Sequence, residues 1–216
     1  MSGPQCCSNP PTLNPNAGAG HVEQLGGLNT YVSGSPNSKL AILLISDVYG
    51  YEAPNLRLSE YVCGFSCITS LSLLLKDKGF EEAKPVIEAV KSKGVSAVGA
   101  AGFCWGAKVV VELAKVEFIQ AAVLCHPSFV TLDDIKGVKV PIAVLGAEND
   151  HLSPPPLLKQ FEEALAAKPE VDCFVKIFPK VAHGWTVRYS VEDVAAVKSA
   201  EEAHQNLLEW FAKYVK

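Results

Sequence analysis

The chain has 216 residues, of which 49% are hydrophobic and 19% charged, and its 19 basic and 23 acidic side chains leave a formal net charge of -4. That length is enough to bury one substantial core, so one globular domain is expected. Without a cationic surplus neither nucleic acid nor anionic lipid is indicated as a partner. No stretch reaches the roughly 18 consecutive apolar residues of a membrane-spanning helix.

Residues 1–20 are rich in Pro, Gly, Asn and Ser and have neither a basic head nor an apolar centre. They read as a flexible arm rather than a signal peptide, which points to a cytoplasmic protein. Residues 22–32, with Gly26-Gly27 between two apolar runs, predict a short hairpin. Residues 40–46, 96–103, 120–125 and 142–147 are nearly continuous apolar runs, as expected of strands buried on both faces of a parallel sheet. Residues 173–178 alternate apolar and polar side chains and therefore belong nearer a sheet edge.

Between these strands the periodicity predicts helices over 80–92, 107–114, 155–167 and 191–214. In the last, Ala195, Ala196, Ala203, Leu207, Leu208, Phe211 and Val215 form one inward stripe. The fold class is α/β, a mostly parallel sheet with helices on both faces. Segment 58–78 is the least regular: Gly64 and residues 65–69 suggest a helix end and a short strand, and 70–78 match no strong template.

Seven cysteines, at positions 6, 7, 63, 67, 104, 125 and 173, form an odd set without repeated CxxC spacing. They argue against a disulfide scaffold or zinc ribbon and for free thiols in a reducing compartment. The adjacent Cys6 and Cys7 could bind metal or oxidise, or be incidental residents of the arm.

Gly102-Phe103-Cys104-Trp105-Gly106 follows an apolar strand and opens a helix. This is the spacing of a nucleophile elbow, in which flanking glycines permit a tight turn and the helix start faces the nucleophile. The positive helix end favours a thiolate at Cys104, and the Trp105 backbone N–H is placed to meet a developing oxyanion. Asp150 and His183 each follow a later strand, giving the order nucleophile, acid, base. The expected chemistry is attack by Cys104 on an ester or lactone carbonyl. His183 would handle the proton, Asp150 fix the imidazole, and the Val48 N–H complete the oxyanion hole.

His151 neighbours Asp150 but points away from it and is assigned to the surface. His126 either lines the crevice or is a bonded structural histidine. His204 and His21 have no second ligand at metal spacing, so no metal site is predicted. No dinucleotide or P-loop pattern follows a strand, so no cofactor is expected.

Segments 46–50 (SDVYG), 102–107 (GFCWGA), 146–150 (GAEND) and 182–185 (AHGW) resemble the dienelactone hydrolase family, specifically its plant members, over about residues 20–216. The resemblance implies a single α/β-hydrolase domain over 21–216, acting as a monomer or weak homodimer on a small ester or lactone through Cys104, Asp150 and His183. It also implies that Asp47 stands where bacterial relatives have a glutamate near the resting cysteine, and that Arg188 is the nearest counterpart of a substrate-binding arginine. Ser70-Leu71 falls where relatives have Pro-Asp. On the order of twenty residues of the following cover over the active site are missing, as in a splice product or misjudged gene model. Impaired activity, or a non-catalytic binding role, is therefore a rival expectation. A β-glucan-acting hydrolase, suggested by the name of some plant relatives, ranks below both, because Asp47 and Asp150 are better explained by other roles.

Overall fold

The structure is a computed structural model and describes residues 4–57, 66–70 and 78–216. Its strands are β1 (His21–Leu25), β2 (Leu28–Gly34), β3 (Leu40–Ile45), β4 (Ser66–Ser70), β5 (Ala97–Phe103), β6 (Ala121–Cys125), β7 (Ile142–Asn149) and β8 (Cys173–Ala182). Its helices are α1 (Pro54–Arg57), α2 (Gly79–Ser92), α3 (Gly106–Lys115), α4 (Leu132–Gly137), α5 (Pro155–Ala166) and α6 (Val194–Tyr214).

The strands form one sheet in the order β1-β2-β4-β3-β5-β6-β7-β8. β1 and β2 pair antiparallel as the expected hairpin, and β2 pairs antiparallel with β4. From β4 to β8 every pairing is parallel. The four apolar runs occupy the centre, and the alternating run lies in β8 at the edge.

The period of two along each strand sends successive side chains to opposite layers. Leu43 and Ile45 of β3 face a core shared with Val86, Val110 and Phe161 of α2, α3 and α5. Ile42 and Leu44 face the other layer, where Leu207, Trp210 and Phe211 of α6 cover the sheet. Both faces of the central strands are thus sealed, and chemistry is left to the loops at their carboxyl ends.

Three local features depart from expectation. α6 starts at Val194 rather than near 191, because the Asp193 carboxylate accepts from the Ala195 and Ala196 N–H groups and caps the helix there. The short α4 was not anticipated; a capping box between Thr131 and Asp134 starts it, and Lys108 and Lys115 hold Asp134 from α3. The expected flexible arm is, from Pro4 onward, seated on the domain. Arg57 donates to the Pro15 and Ala17 carbonyls, Asn14 N–H to Glu52, and Gln5 bridges Asn149 and His151. Composition could not show these anchors, since each arm group pairs with a residue distant in sequence.

The short strand expected near 65–69 is β4. Residues 58–65 and 71–77, with the expected helix end and the shortened cover, lie outside the described residues. Among the described residues no helix is long and apolar enough to cross a membrane.

Candidate active site

β5 delivers Cys104 directly into the turn before α3, with the cysteine backbone at φ 54. A non-glycine residue held left-handed is strained by about 1–3 kcal/mol and persists only where its surroundings enforce it. Here the Cys104 N–H donates to the Cys125 carbonyl at 3.0 Å, and the Cys104 carbonyl accepts from Ala107 at 3.2 Å and Ser128 at 2.9 Å. The flanking glycines are obligatory on contact grounds. A Cβ on Gly102 would lie 2.3 Å from the Gly106 carbonyl oxygen, and one on Gly106 would lie 2.1 Å from that of Ile45. The elbow read from the sequence is therefore present in the fold.

Asp150 directly follows β7 and is saturated with donors. Its Oδ1 accepts from the Leu152 and Ser153 N–H groups, and its Oδ2 from the Ser153 hydroxyl and from His183 Nδ1 at 2.8 Å. Burial works to raise the carboxyl pKa, but the bonds and charge from His183 and the two backbone N–H groups hold it below the ordinary value. Burial works to lower His183, but the bond and charge from Asp150, with Cys6 beside it, raise it above its ordinary value. With Nδ1 committed to Asp150, the buried Nε2 faces the sulfur side of the site, with no partner at hydrogen-bonding geometry.

The third member sits close by, but not alone. The sulfurs of Cys104 and Cys6 and a ring nitrogen of His183 all lie within 4.8 Å of one another. Cys104 Sγ is 3.2 Å from Cys6 Sγ and 3.2 Å from the Ser128 hydroxyl. The two thiols share their protons unevenly. The hydrogen bond from Cys104, with help from His183 and Arg188, brings Cys6 down to about 5 despite its burial. The bond to Cys6 and then burial push the Cys104 thiol the other way, upward. Both directions disfavour a thiolate at Cys104 while Cys6 lies against it.

Asp47 and Arg188 are also drawn in. Arg188 Nε lies 2.8 Å from Asp47 Oδ2, both side chains being at most 2% exposed, an ion pair by distance more than by aligned hydrogen bonding. Burial raises the Asp47 pKa and the Arg188 charge opposes it. Arg188 Nη1 donates to the carbonyls of Cys6 and Ser8, so in this structure the arginine grips the arm. A cleft of about 800 Å³ opens beside it, lined in part by His183, Trp185, Arg188, Asn9 and Pro10.

His126 resolves to its structural alternative. It is fully buried, its Nε2 is 2.7 Å from the Thr186 hydroxyl, and its ring meets those of His183 and Trp185 edge-on at 5.0 and 5.3 Å. Burial holds its pKa well below normal, so it backs the His183 ring as a neutral group. Val48 follows Asp47 and is exposed; Trp105 bridges Cys104 and α3. His151 is exposed, and His204 bonds the Thr186 carbonyl. Sequence reasoning missed Cys6, Ser128 and Ser153 as neighbours of the site. For Cys6 the only signal was its place in a Cys-Cys pair.

The dienelactone hydrolase family model matches residues 42–215 of the chain. The chain is 38% identical over 193 residues to an endo-1,3;1,4-beta-D-glucanase of Zea mays, a match covering 77% of this chain and 63% of that protein, less than two thirds of its length. It is 28% identical over 226 residues to a carboxymethylenebutenolidase homolog of Xenopus tropicalis, covering 91% of each. Among solved structures, an esterase of Pyrococcus furiosus superposes with a TM-score of 0.70 at 16% identity, over 95% of this chain and 99% of that one, a likeness of the α/β-hydrolase fold.

Proposed function

Since the chain belongs to the dienelactone hydrolase family, we propose that it hydrolyses small carboxylic esters or lactones through Cys104, His183 and Asp150. The observation that carries this reading is the buried 2.8 Å bond between Asp150 and His183 Nδ1, beside a Cys104 sulfur that lies within 4.8 Å of a His183 ring nitrogen and belongs to a residue held left-handed at a strand-to-helix turn. His183 takes the Cys104 proton once the arm has withdrawn Cys6, and the thiolate attacks the carbonyl. The oxyanion is met by the Trp105 and Val48 N–H groups. The protonated imidazole returns its proton to the leaving alkoxide, and water, activated by His183, releases the acyl group. Arg188, freed of the Cys6 and Ser8 carbonyls, is suited to a substrate carboxylate, with Asp47 fixing its orientation.

The name of the maize relative is the one observation favouring cleavage of a β-glucan. That chemistry uses two carboxyls roughly 5–9.5 Å apart, one acting on the leaving oxygen. Asp47 and Asp150 are each committed, to Arg188 and to His183, so this reading is second.

The test is turnover of an activated acetate ester and an unsaturated lactone by reduced, chelator-treated protein, beside its Cys104→Ala variant and a mixed-linkage β-glucan control. Ester or lactone turnover that vanishes in the variant is the expected result. Turnover surviving in Cys104→Ala overturns the assigned nucleophile. Release of sugar reducing ends without ester cleavage favours the second reading, and no turnover of any substrate favours a binding role.

A further inference from the structure

The proposed hydrolysis has no use for Cys6, yet the fold goes to some length to hold it. Arg188 and Gln5 pin the turn that carries it, Tyr49 Oη donates to the adjacent Cys7 carbonyl, and the Cys6 side chain is fully buried against Cys104. Three donor atoms of the kinds that bind soft cations, two sulfurs and a ring nitrogen, fall within 4.8 Å of one another in a buried site. We propose that Cys6, Cys104 and His183 Nε2 bind Zn²⁺, and that the ion ties the N-terminal arm across the nucleophile.

Geometry favours an ion over a direct bond. Tetrahedral zinc, with sulfur at about 2.3 Å and nitrogen at about 2.0–2.1 Å, places its sulfurs about 3.8 Å apart. The present 3.2 Å between Cys6 and Cys104 needs to open by about 0.6 Å to reach that spacing. A disulfide at about 2.05 Å would require the sulfurs to close by more than 1 Å.

The donor set of two thiolates and one imidazole selects zinc over magnesium or calcium, which take oxygen ligands. Asp150 already supplies the outer partner that metal-bound histidines commonly have: by accepting from Nδ1 it fixes the tautomer whose Nε2 lone pair points at the sulfurs. That Nε2 is buried and without a partner at hydrogen-bonding geometry. The nearby Arg188 charge opposes a cation, but Asp47 lies 2.8 Å from that guanidinium and Asp150 lies 2.8 Å from His183 Nδ1, so each cationic group has a carboxylate beside it.

The step balances without an oxidant. Zinc displaces the protons carried by the Cys6 and Cys104 thiols and by His183 Nε2, those protons pass to solvent, and two sulfur–metal bonds and one nitrogen–metal bond form, leaving a fourth position for water. In the zinc form both the nucleophile and the base of the proposed hydrolase are occupied, so ester turnover stops. This last consequence rests on the hydrolase reading, whereas binding of the ion does not.

The test uses the full chain, stripped with a chelator and reduced with a phosphine, and titrated with Co²⁺ as a spectroscopic probe before displacement by Zn²⁺. One Co²⁺ per chain with a thiolate-to-cobalt absorption band is expected. Affinity should fall at least tenfold in Cys6→Ser and His183→Gln, the band should be lost in Cys104→Ser, and Cys7→Ser should leave it unchanged. Full affinity in Cys6→Ser, or no cobalt band in the wild type, overturns the site. So does a reduced protein that binds no metal but forms a Cys6–Cys104 disulfide in air, found by peptide mapping.

Ester turnover is followed in parallel, with stoichiometric zinc expected to suppress it and chelator to restore it. Metal binding with the stated residue dependence but no turnover sinks the hydrolase and keeps the zinc site. Turnover indifferent to zinc, with no cobalt band, does the reverse.

Discussion

The elbow around Cys104 and the arm around Cys6 meet at one pair of sulfurs, yet they are held in different ways. The elbow is gripped by backbone: neighbouring strands and turns bond its N–H and carbonyl, and close approach forbids a side chain at Gly102 and Gly106. The arm is gripped mainly by side chains reaching from elsewhere, chiefly Arg57 and Arg188, onto its carbonyls. The first kind of support cannot be released without unfolding the sheet. The second can open locally, because only a handful of polar contacts and one buried cysteine must let go.

The largest expected effect lies on the elbow. Cys104→Ala should lower kcat/KM for an activated ester by about 10³-fold or more with the melting temperature little changed, measured by steady-state kinetics and thermal denaturation. Retained activity would mean that the rigid side of the comparison is not where the chemistry lies.

Asp150→Asn should lower turnover by about 10²–10⁴-fold, since the amide no longer fixes or charges the imidazole. It also has a pH signature. The lowered Asp150 pKa contributes stability above its unfolded value near about 3.9, which is lost as pH falls through the folded value. The raised His183 pKa contributes stability that is complete below about 6.5 and is lost as pH rises through its folded value. The difference in melting temperature between wild type and variant should therefore be widest between roughly pH 4 and 6.5 and narrow on either side. A difference independent of pH would show that the pair is not ionised in the fold.

Two stability measurements sharpen the contrast directly. Gly106→Ala forces a Cβ against the Ile45 carbonyl and should destabilise the whole domain by about 3 kcal/mol, read by denaturant unfolding. Arg57→Gln removes the bonds to Pro15 and Ala17 and the cation stacked 4.4 Å over Tyr31. It should destabilise global unfolding by only about 1–2 kcal/mol while speeding alkylation of Cys6, measured by mass spectrometry. Equal losses in the two variants would erase the distinction between a core-held and a strapped region.

The same division explains what could be read in the amino-acid order. The central strands, the elbow and the Asp150–His183 order are written locally, in apolar runs and in glycines two residues from a cysteine. Each element announces itself within ten residues. The elements that were missed depend on partners far away. α4 is too short to show a period and rests on one capping box with lysines from α3. Cys6 gains its meaning only when Arg188, 182 positions later, takes hold of its carbonyl. His126 could be read either way until Thr186 was found against its ring nitrogen. Arg188 itself was placed at the site by resemblance, but its grip on the arm follows from tertiary geometry alone.

Because Gln5 is bonded to the loop that carries Asp150 and His151, a group fused ahead of Pro4 would load the strap beside the proposed catalytic cleft. An affinity tag or fluorescent fusion there would tug on the strap and alter the behaviour under study. The opposite terminus, where α6 ends at Tyr214 and Lys216 is exposed, is the safer handle for purification, immobilisation or imaging.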